Sequence, residues 1–360
     1  MMSDDQDRAL DGISEFLERP GVPKPFVVLQ GLAGTGKTFV LARLAERFPD
    51  MKLAAYTGKA ASVLRKRINR QVTTMHSAIY DFHGLVEDDD DSRRMNPIFV
   101  PKGEGHLARH TIGLDEVSMI GQRDGAALLS SGARIVACGD PGQLPPVRDT
   151  QFFTRADYTL TKVHRQAWDS PIIRQAHAVR ETGDYEADGD GFRVLEPDPG
   201  EKINREELLR HDAILCWKNV TRRRLNRTKR EMLGLPADRM TPGEPVMCLQ
   251  NQHRLGLYNG VIYEIVETDG EGMVVREEGS KRGVLVEQAT LEGFDRLFDA
   301  RRYDEDWLPF APGYAMTVHK AQGSEYESLL LFDECRESDR RAFLYTGITR
   351  AVERCTVVRW

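Results

Sequence analysis

Phe26-Val27-Val28-Leu29-Gln30 runs straight into Gly31-Leu32-Ala33-Gly34-Thr35-Gly36-Lys37-Thr38, and an amphipathic segment, Phe39 to Arg47, follows at once. The short apolar run bounded by turn residues reads as a buried strand, and the amphipathic segment as a helix. Strand, glycine-rich turn and helix in that order are the context that G-x-x-x-x-G-K-[ST] requires. Glycines let backbone N–H groups approach phosphate oxygens, a lysine at Lys37 meets the β and γ phosphates, and a hydroxyl at Thr38 suits Mg2+. The loop is therefore expected to bind ATP through Gly31, Gly34, Thr35, Gly36, Lys37 and Thr38, with Thr38 also on the metal.

Hydrolysis at such a loop needs a second strand that ends in a carboxylate, and Thr111-Ile112-Gly113-Leu114-Asp115-Glu116 supplies one. Asp115 is expected to hold Mg2+ through water, and Glu116, one residue on, to polarise the attacking water. Alone, an Asp-Glu pair is a charged strand end; it takes its meaning from the loop upstream.

Outward from this nucleus, short apolar runs alternate with helical patterns, the signature of parallel α/β sheets. The expected strands are Phe26 to Gln30, Lys52 to Tyr56, Thr111 to Asp115 and Arg134 to Cys138, with a second set at Ala213 to Trp217, Val246 to Leu249, Ser328 to Phe332 and Cys355 to Val358. Two α/β units follow from that division. Two insertions break the alternation. Between Ala78 and Arg109, the strand-like Ile79 to Val86 and Pro97 to Val100 flank five acids, Glu87 to Asp91, which reads as a hairpin with a charged tip. Between Gln252 and Pro312, the turn dipeptide Asn259-Gly260 with Val261 to Val266 and Met273 to Val275 predicts a small barrel.

The chain carries 50 basic and 56 acidic side chains, a formal charge of -6 that speaks weakly against a nucleic-acid partner. Distribution matters more. Lys218, Arg222, Arg223, Arg224, Arg227, Lys229 and Arg230 come with no acid between them, and Lys59, Arg65, Lys66, Arg67 and Arg70 form a second run. Both are candidate phosphate-seeking patches, with a solvated helix face as the plain alternative. No segment approaches the roughly 18 apolar residues that a bilayer-crossing helix needs. The acidic start, Met1-Met2-Ser3-Asp4-Asp5, has no apolar core of a secretory signal, and the cysteines stand singly. A membrane protein and a disulfide or zinc framework are not expected, and the cytoplasm is the expected compartment.

Asp115-Glu116-Val117-Ser118-Met119 followed by Gly139-Asp140-Pro141-Gly142-Gln143-Leu144-Pro145-Pro146 resembles motifs II and III of superfamily 1 DNA helicases, in their RecD-like and Dda-like branch. Further matches recur in the family's order. Ala55-Tyr56-Thr57-Gly58-Lys59-Ala60-Ala61 is similar to motif Ia, Thr74-Met75-His76-Ser77 to the T-x-H-S element, and Leu160 to Gln166 with Ser170-Pro171-Ile172-Ile173 to motif IV. Thr317-Val318-His319-Lys320-Ala321-Gln322-Gly323-Ser324-Glu325 looks like motif V, and Leu344-Tyr345-Thr346-Gly347-Ile348-Thr349-Arg350-Ala351 like motif VI.

The resemblance implies two RecA-like P-loop NTPase units with parallel sheets, residues 1–77 with 110–159 and residues 160–251 with 313–360. It adds a pin hairpin at 78–109 and a small SH3-like β insertion at 252–312. It also implies a DNA-stimulated ATP hydrolase that moves 5′ to 3′ on single-stranded DNA and opens forked duplexes. Such a protein is expected to act as a monomer in a bacterial or phage-infected cell, with replication or recombination proteins as partners. Gln143 is then expected to sense the γ-phosphate, Arg165 and Arg350 to reach across the cleft as arginine fingers, Glu325 to join the nucleotide site, and Gln6 to read adenine. Thr57, Lys59, Thr74 and His76 on the first unit, with Thr317, His319 and Lys320 on the second, are expected to hold the strand backbone.

The chain departs from the family pattern at Gly347, where the branch commonly has Ala, and at Glu87 to Asp91, which would repel phosphates. A pin there would work sterically, through Phe82, Met95 or Phe99. The extra N-terminal domain of larger RecD proteins is not expected. Two other readings stay open: a P-loop ATPase acting on RNA or protein, and a non-catalytic DNA-binding accessory, which Lys37, Asp115, Glu116 and Arg350 speak against.

Overall fold

The computed structural model describes residues 2–19, 24–87, 95–147, 149–163, 169–198, 203–237, 239–249, 255–269, 272–277, 280–287, 310–335 and 338–359. Arg165 and the acids Asp88 to Asp91 lie outside them, as do the side chains of Phe82 and Met95.

In chain order, β1 (Phe26–Gly31), β2 (Lys52–Ala55) and β3 (Val72–Thr74) come first, then the hairpin of β4 (Tyr80–Glu87) and β5 (Met95–Pro101), then β6 (Thr111–Asp115), β7 (Arg134–Gly139) and β8 (Tyr158–Leu160). Apart from the antiparallel hairpin, these join one sheet in the order β3-β2-β6-β7-β1-β8, every pairing parallel. Val27 and Leu29 of β1 pack into one core with Leu41 and Leu44 of the helix Lys37–Arg47, whereas Val28 packs on the opposite side with Ile112 and Ile135. Burial on both faces is why these strands read as continuous apolar runs. Because all run the same way, the loop after β1, the carboxylates after β6 and the loop after β7 leave by one edge.

The rest of the chain gives β9 (Phe192–Leu195), β10 (Ala213–Cys216), β11 (Pro245–Cys248), β12 (Ile262–Thr268), β13 (Gly272–Glu277), β14 (Gly283–Glu287), β15 (Phe310–Pro312), β16 (Ala315–Thr317), β17 (Tyr326–Asp333) and β18 (Ala351–Arg359). A second, all-parallel sheet has the order β16-β10-β17-β18-β9. A third sheet, antiparallel, has the order β14-β13-β12-β11-β15. Val246 to Leu249, expected in the second parallel set, instead forms β11 of the antiparallel sheet, paired to β12 and β15. Val246, Met247 and Cys248 are fully buried, and a buried apolar run looks the same in either kind of sheet. Its place in the second parallel sheet is filled by two short strands, β9 and β16, that the sequence did not announce.

The longer basic run also resolves differently. It lies on the helix Asn219–Met232, where Arg222, Lys229 and Arg230 are buried. Lys229 Nζ donates to the His211 carbonyl at 2.6 Å, and Arg230 pairs with Glu244 at 2.7 Å. In the other run, Arg65 donates to the Val72 carbonyl at 2.9 Å, and Arg70 donates to those of Ala45 and Met51 at 2.5 and 2.8 Å. Lys229 and Arg230 of the first run and Arg65 and Arg70 of the second are thus bonded to the protein's own backbone and carboxylates. Among the described residues, no helix is long and apolar enough to cross a membrane.

Candidate functional site

Gly34 and Gly36, in the loop after β1, sit at φ 80° and 88°, a left-handed region that costs a residue with a side chain about 1–2 kcal/mol. Lys37 Nζ donates to the carbonyls of Gly31 at 2.7 Å and Leu32 at 3.1 Å, and lies 3.5 Å from Asp140 Oδ2 in the loop after β7. Thr38 Oγ1 donates to Asp115 Oδ2 at 3.1 Å, and the other Asp115 oxygen accepts the Glu116 N–H at 3.0 Å. Glu116 holds φ 56° and ψ 43°, one of two non-glycine residues with positive φ among the described residues. Such strain persists only where the surroundings over-determine the backbone.

Burial pushes the carboxyls of both Asp115 and Glu116 up, against the pull of Lys37 on the first and Arg350 on the second. Two desolvated carboxylates side by side favour added positive charge. A hydroxyl and a carboxylate in contact are also hard oxygen donors, so Thr38 and Asp115 fit Mg2+.

Arg350 stands in the turn between the helix Arg340–Ile348 and β18, with Nη1 3.7 Å from Glu116 Oε1. Its Nε donates to the Thr346 carbonyl at 3.1 Å and its Nη2 to Thr349 Oγ1 at 3.2 Å, so its own chain fixes the guanidinium. Thr38, Asp115, Glu116, Arg350, Glu325 and Arg67 line one pocket, and the last two are paired at 2.5 Å. Gly323 lets this side close on the helix Gly58–Ile68: an added Cβ there would lie 2.5 Å from that of Ala60.

Gln143 is buried, and its Oε1 has no hydrogen-bond partner among the described residues. The next residue joins the two parallel-sheet units, since Leu144 N–H donates to Thr346 Oγ1 at 2.9 Å and its carbonyl accepts from Gln322 Nε2 at 3.1 Å. Gln322 Oε1 is likewise unpartnered among the described residues. A buried orphan acceptor costs about 1–3 kcal/mol, which suits a loop that has a second arrangement to visit. Gln6 is bonded to the candidate nucleotide loop itself. It is 1% exposed, its Nε2 donates to the Thr35 carbonyl at 3.0 Å, and its Oε1 accepts the Ser3 N–H at 3.1 Å.

The residues expected to grip a strand fall on helix starts. Thr57 and Thr74 are N-caps whose hydroxyls accept the N–H groups of Ala60 and Ser77, each at 3.1 Å. His76 lies 3.5 Å from Asp124 and among the rings of Tyr56, Tyr80 and Phe99. On the second unit Thr317 is the N-cap of the turn Val318–Ala321, and its side chain makes no cap bond. His319 packs on Trp217 with ring centroids 5.1 Å apart, and burial holds its imidazole below the ordinary value, so it is neutral at pH 7. Lys320 Nζ donates to Asn259 Oδ1 at 3.2 Å, while Gly58, between Thr57 and Lys59, abuts Tyr258, where an added Cβ would lie 3.0 Å from the tyrosine Cβ. The turn between β11 and β12 therefore touches both groups of grip residues.

A family model described as an AAA domain matches residues 3–193, just over half of the chain, and one described as a UvrD-like helicase C-terminal domain matches residues 312–358. The chain belongs to this AAA-domain family, in the RecD-like branch of superfamily 1. The ATP-dependent RecD2 DNA helicase of Deinococcus radiodurans is 29% identical to it over 361 residues, covering 91% of this chain and 46% of that protein. The RecBCD enzyme subunit RecD of Mycolicibacterium smegmatis is 27% identical, covering 92% of this chain and 68% of that one. The chain thus spans about half the length of the first relative and two thirds of the second. The crystal structure of Bacteroides Pif1 bound to ssDNA shares the fold, with a TM-score of 0.61 at 18% identity over 99% of this chain and 92% of that one.

In this RecD-like chain the motif residues Thr38, Asp115, Glu116, Glu325 and Arg350 line one pocket, and Lys37, next to Thr38, approaches Asp140 at 3.5 Å. Asp140, which approaches Lys37, was not singled out, although it stands inside the quoted Gly139 to Pro146 and follows a strand beside β1. Asp124, which anchors His76 and the Tyr80 hydroxyl, carried no sequence signal beyond being one acid in a helix.

Proposed function

We propose that this chain is an ATP-dependent single-strand DNA translocase and helicase that moves 5′ to 3′. The observation that carries the reading is the Arg350–Glu116 contact at 3.7 Å, which puts an arginine of one parallel-sheet unit on the carboxylate beside the phosphate loop of the other. ATP would lie between these units, its phosphates on the N–H groups of the loop from Gly31 to Thr38 and on Lys37, which exchanges its carbonyl partners for phosphate oxygens. Thr38 and Asp115 would hold Mg2+, directly or through water. That ion supplies charge neutralisation at the β and γ oxygens when bound. Glu116 accepts a hydrogen bond from the attacking water, and Arg350 turns from Glu116 to the transferring phosphoryl group.

Strand grip falls to Thr57, Lys59, Thr74 and His76 on one unit and to Thr317, His319 and Lys320 on the other. Opening and closing of the cleft would move these sets relative to one another, with Gln143 and the Leu144 bonds to Thr346 and Gln322 linking the two events. The antiparallel sheet is read as the small SH3-like insertion and the β4–β5 hairpin as the pin. The name of one relative, an ATP-dependent DNA helicase, and the ssDNA bound to Bacteroides Pif1 support DNA as the substrate. The test is unwinding of matched 5′-tailed and 3′-tailed duplexes with ATP. Opening of the 5′-tailed duplex alone is expected. Equal opening of both would remove the polarity, and ATP turnover indifferent to single-stranded DNA would remove the helicase reading.

A further inference from the structure

We infer that Tyr345 is a positioning residue of the nucleotide site: its hydroxyl occupies a phosphate-binding amide of the loop after β1 until a nucleotide phosphate displaces it. This rests on the reading of that loop as an ATP site. Tyr345 belongs to the helix Arg340–Ile348, in the part of the chain that builds the second parallel sheet, and it is fully buried. Its hydroxyl accepts the Ala33 N–H at 2.6 Å and donates to Asp140 Oδ2 at 2.8 Å. The ring lies flush on Gly142, where an added Cβ would come within 2.8 Å of Tyr345 Cε1. From the same unit, His177 Nε2 donates to the Ala33 carbonyl at 3.2 Å. Both backbone polar groups of Ala33 are therefore held from across the cleft.

Ala33 lies within the G-x-x-x-x-G-K-T turn, whose N–H groups cradle phosphates in loops of this pattern. A phenol oxygen is a neutral acceptor, whereas a phosphate oxygen is charged and forms bonds roughly twice as strong. The phosphate wins the amide. Asp140 Oδ2 also lies 3.5 Å from Lys37 Nζ, so one carboxylate touches both the lysine that must turn to phosphate and the tyrosine that must yield to it. Burial, then the Asp140 charge, push the phenol far above its ordinary range, so the hydroxyl stays protonated near neutral pH.

Tyr345→Phe keeps the ring and removes the hydroxyl. The Ala33 N–H then lacks a partner until phosphate arrives, so ADP is expected to bind about three- to tenfold more tightly than to the parent, the worth of one hydrogen bond. The KM for ATP should fall with it. A tyrosine with a merely structural role would leave ADP affinity unchanged or weaken it, and either result overturns the inference. A parent chain that binds no ADP overturns the ATP-site reading first, and so is distinguishable. A second measurement needs no substitution: with isotope labels on alanine nitrogen and tyrosine carbon, a nuclear Overhauser contact between the Tyr345 ring and the Ala33 amide is expected without nucleotide and lost with ADP. A contact that persists in the ADP complex overturns the inference.

Discussion

Arg350 Nη1 and Glu116 Oε1 are 3.7 Å apart, an ion pair that ties the turn before β18 to the end of β6. Both side chains are largely shielded, at 7% and 21% exposure. A guanidinium removed from water leaves one carboxylate only for a partner at least as anionic. The contact thus marks the direction in which the second unit's charge faces: into the phosphate site.

Arg350→Lys is expected to keep nucleotide and DNA affinity within about tenfold while losing about 10³ or more of DNA-stimulated turnover, because an ammonium cannot present two parallel donors to a transferring phosphoryl group. Single-turnover hydrolysis beside nucleotide titration separates the two effects. Near-parent hydrolysis would reduce Arg350 to an interdomain salt bridge.

Lys37→Ala should lower ATP turnover by about 10² or more, the scale of losing a charge aimed at the transition state. Single-stranded DNA binding should stay measurable, since Lys37 contacts Gly31, Leu32 and Asp140 and none of the grip residues. ATPase and fluorescence anisotropy on one preparation check both halves, and normal turnover would sink the phosphate-loop assignment.

The candidate nucleotide site was legible in the sequence because its chemistry is local. A glycine turn, a lysine and a strand-end carboxylate each carry their meaning within a few residues, and parallel strands then deliver them to one edge. Relations between distant segments were not legible. Tyr345 sits inside a recognised motif, yet its contacts with Ala33 and Asp140 arise only when two sheets face each other. Val246 to Leu249 failed for a related reason: hydrophobicity specifies burial, and the pairing partner specifies the sheet. Gln6 illustrates the same limit, because the sequence does not announce that its carboxamide bridges Ser3 and Thr35 of the loop after β1.

Asp5 gives a pH prediction. Its burial is the largest single influence and raises the carboxyl, but bonds from the Ser3 hydroxyl and from the N–H groups of Lys162, Thr161 and Gln6 together outweigh this and hold it at about 2 instead of 3.8. A depressed carboxyl contributes stability above its unfolded value, and that contribution is lost as pH falls from about 4 toward 2. Because Asp5 is only partly buried, about 1 kcal/mol is expected after solvent screening. Denaturant unfolding of Asp5→Asn and parent should differ by that amount at pH 6 and converge only as the pH approaches about 2. A gap that persists at low pH would show that the charge of Asp5 is not what holds the Thr161–Lys162 segment.

The basic helix Asn219–Met232 offers a test of burial against charge. Arg230 donates through Nε to Glu244 Oε2 at 2.7 Å and through Nη2 to Glu244 Oε1 at 3.1 Å, with side chains 5% and 2% exposed. Glu244 also accepts from the N–H and hydroxyl of Thr241 at 2.7 and 2.9 Å, so it is held in place whether or not its arginine is present. Arg230→Ala therefore leaves a buried carboxylate uncompensated and is expected to destabilise the chain by about 3–5 kcal/mol. Arg230→Met with Glu244→Leu removes both charges and should recover most of that loss, as apolar replacements of whole buried pairs do. Arg224 and Arg227, exposed on the same helix, should tolerate Ser with changes within about 0.5 kcal/mol. Thermal and denaturant unfolding read these differences directly. The salt dependence of single-stranded DNA affinity provides the control, because counterion release follows phosphate contacts alone. The double variant should keep the parent's log-log slope. A shallower slope would mean that Arg230 reaches a phosphate in the bound state, and its structural assignment would then be wrong.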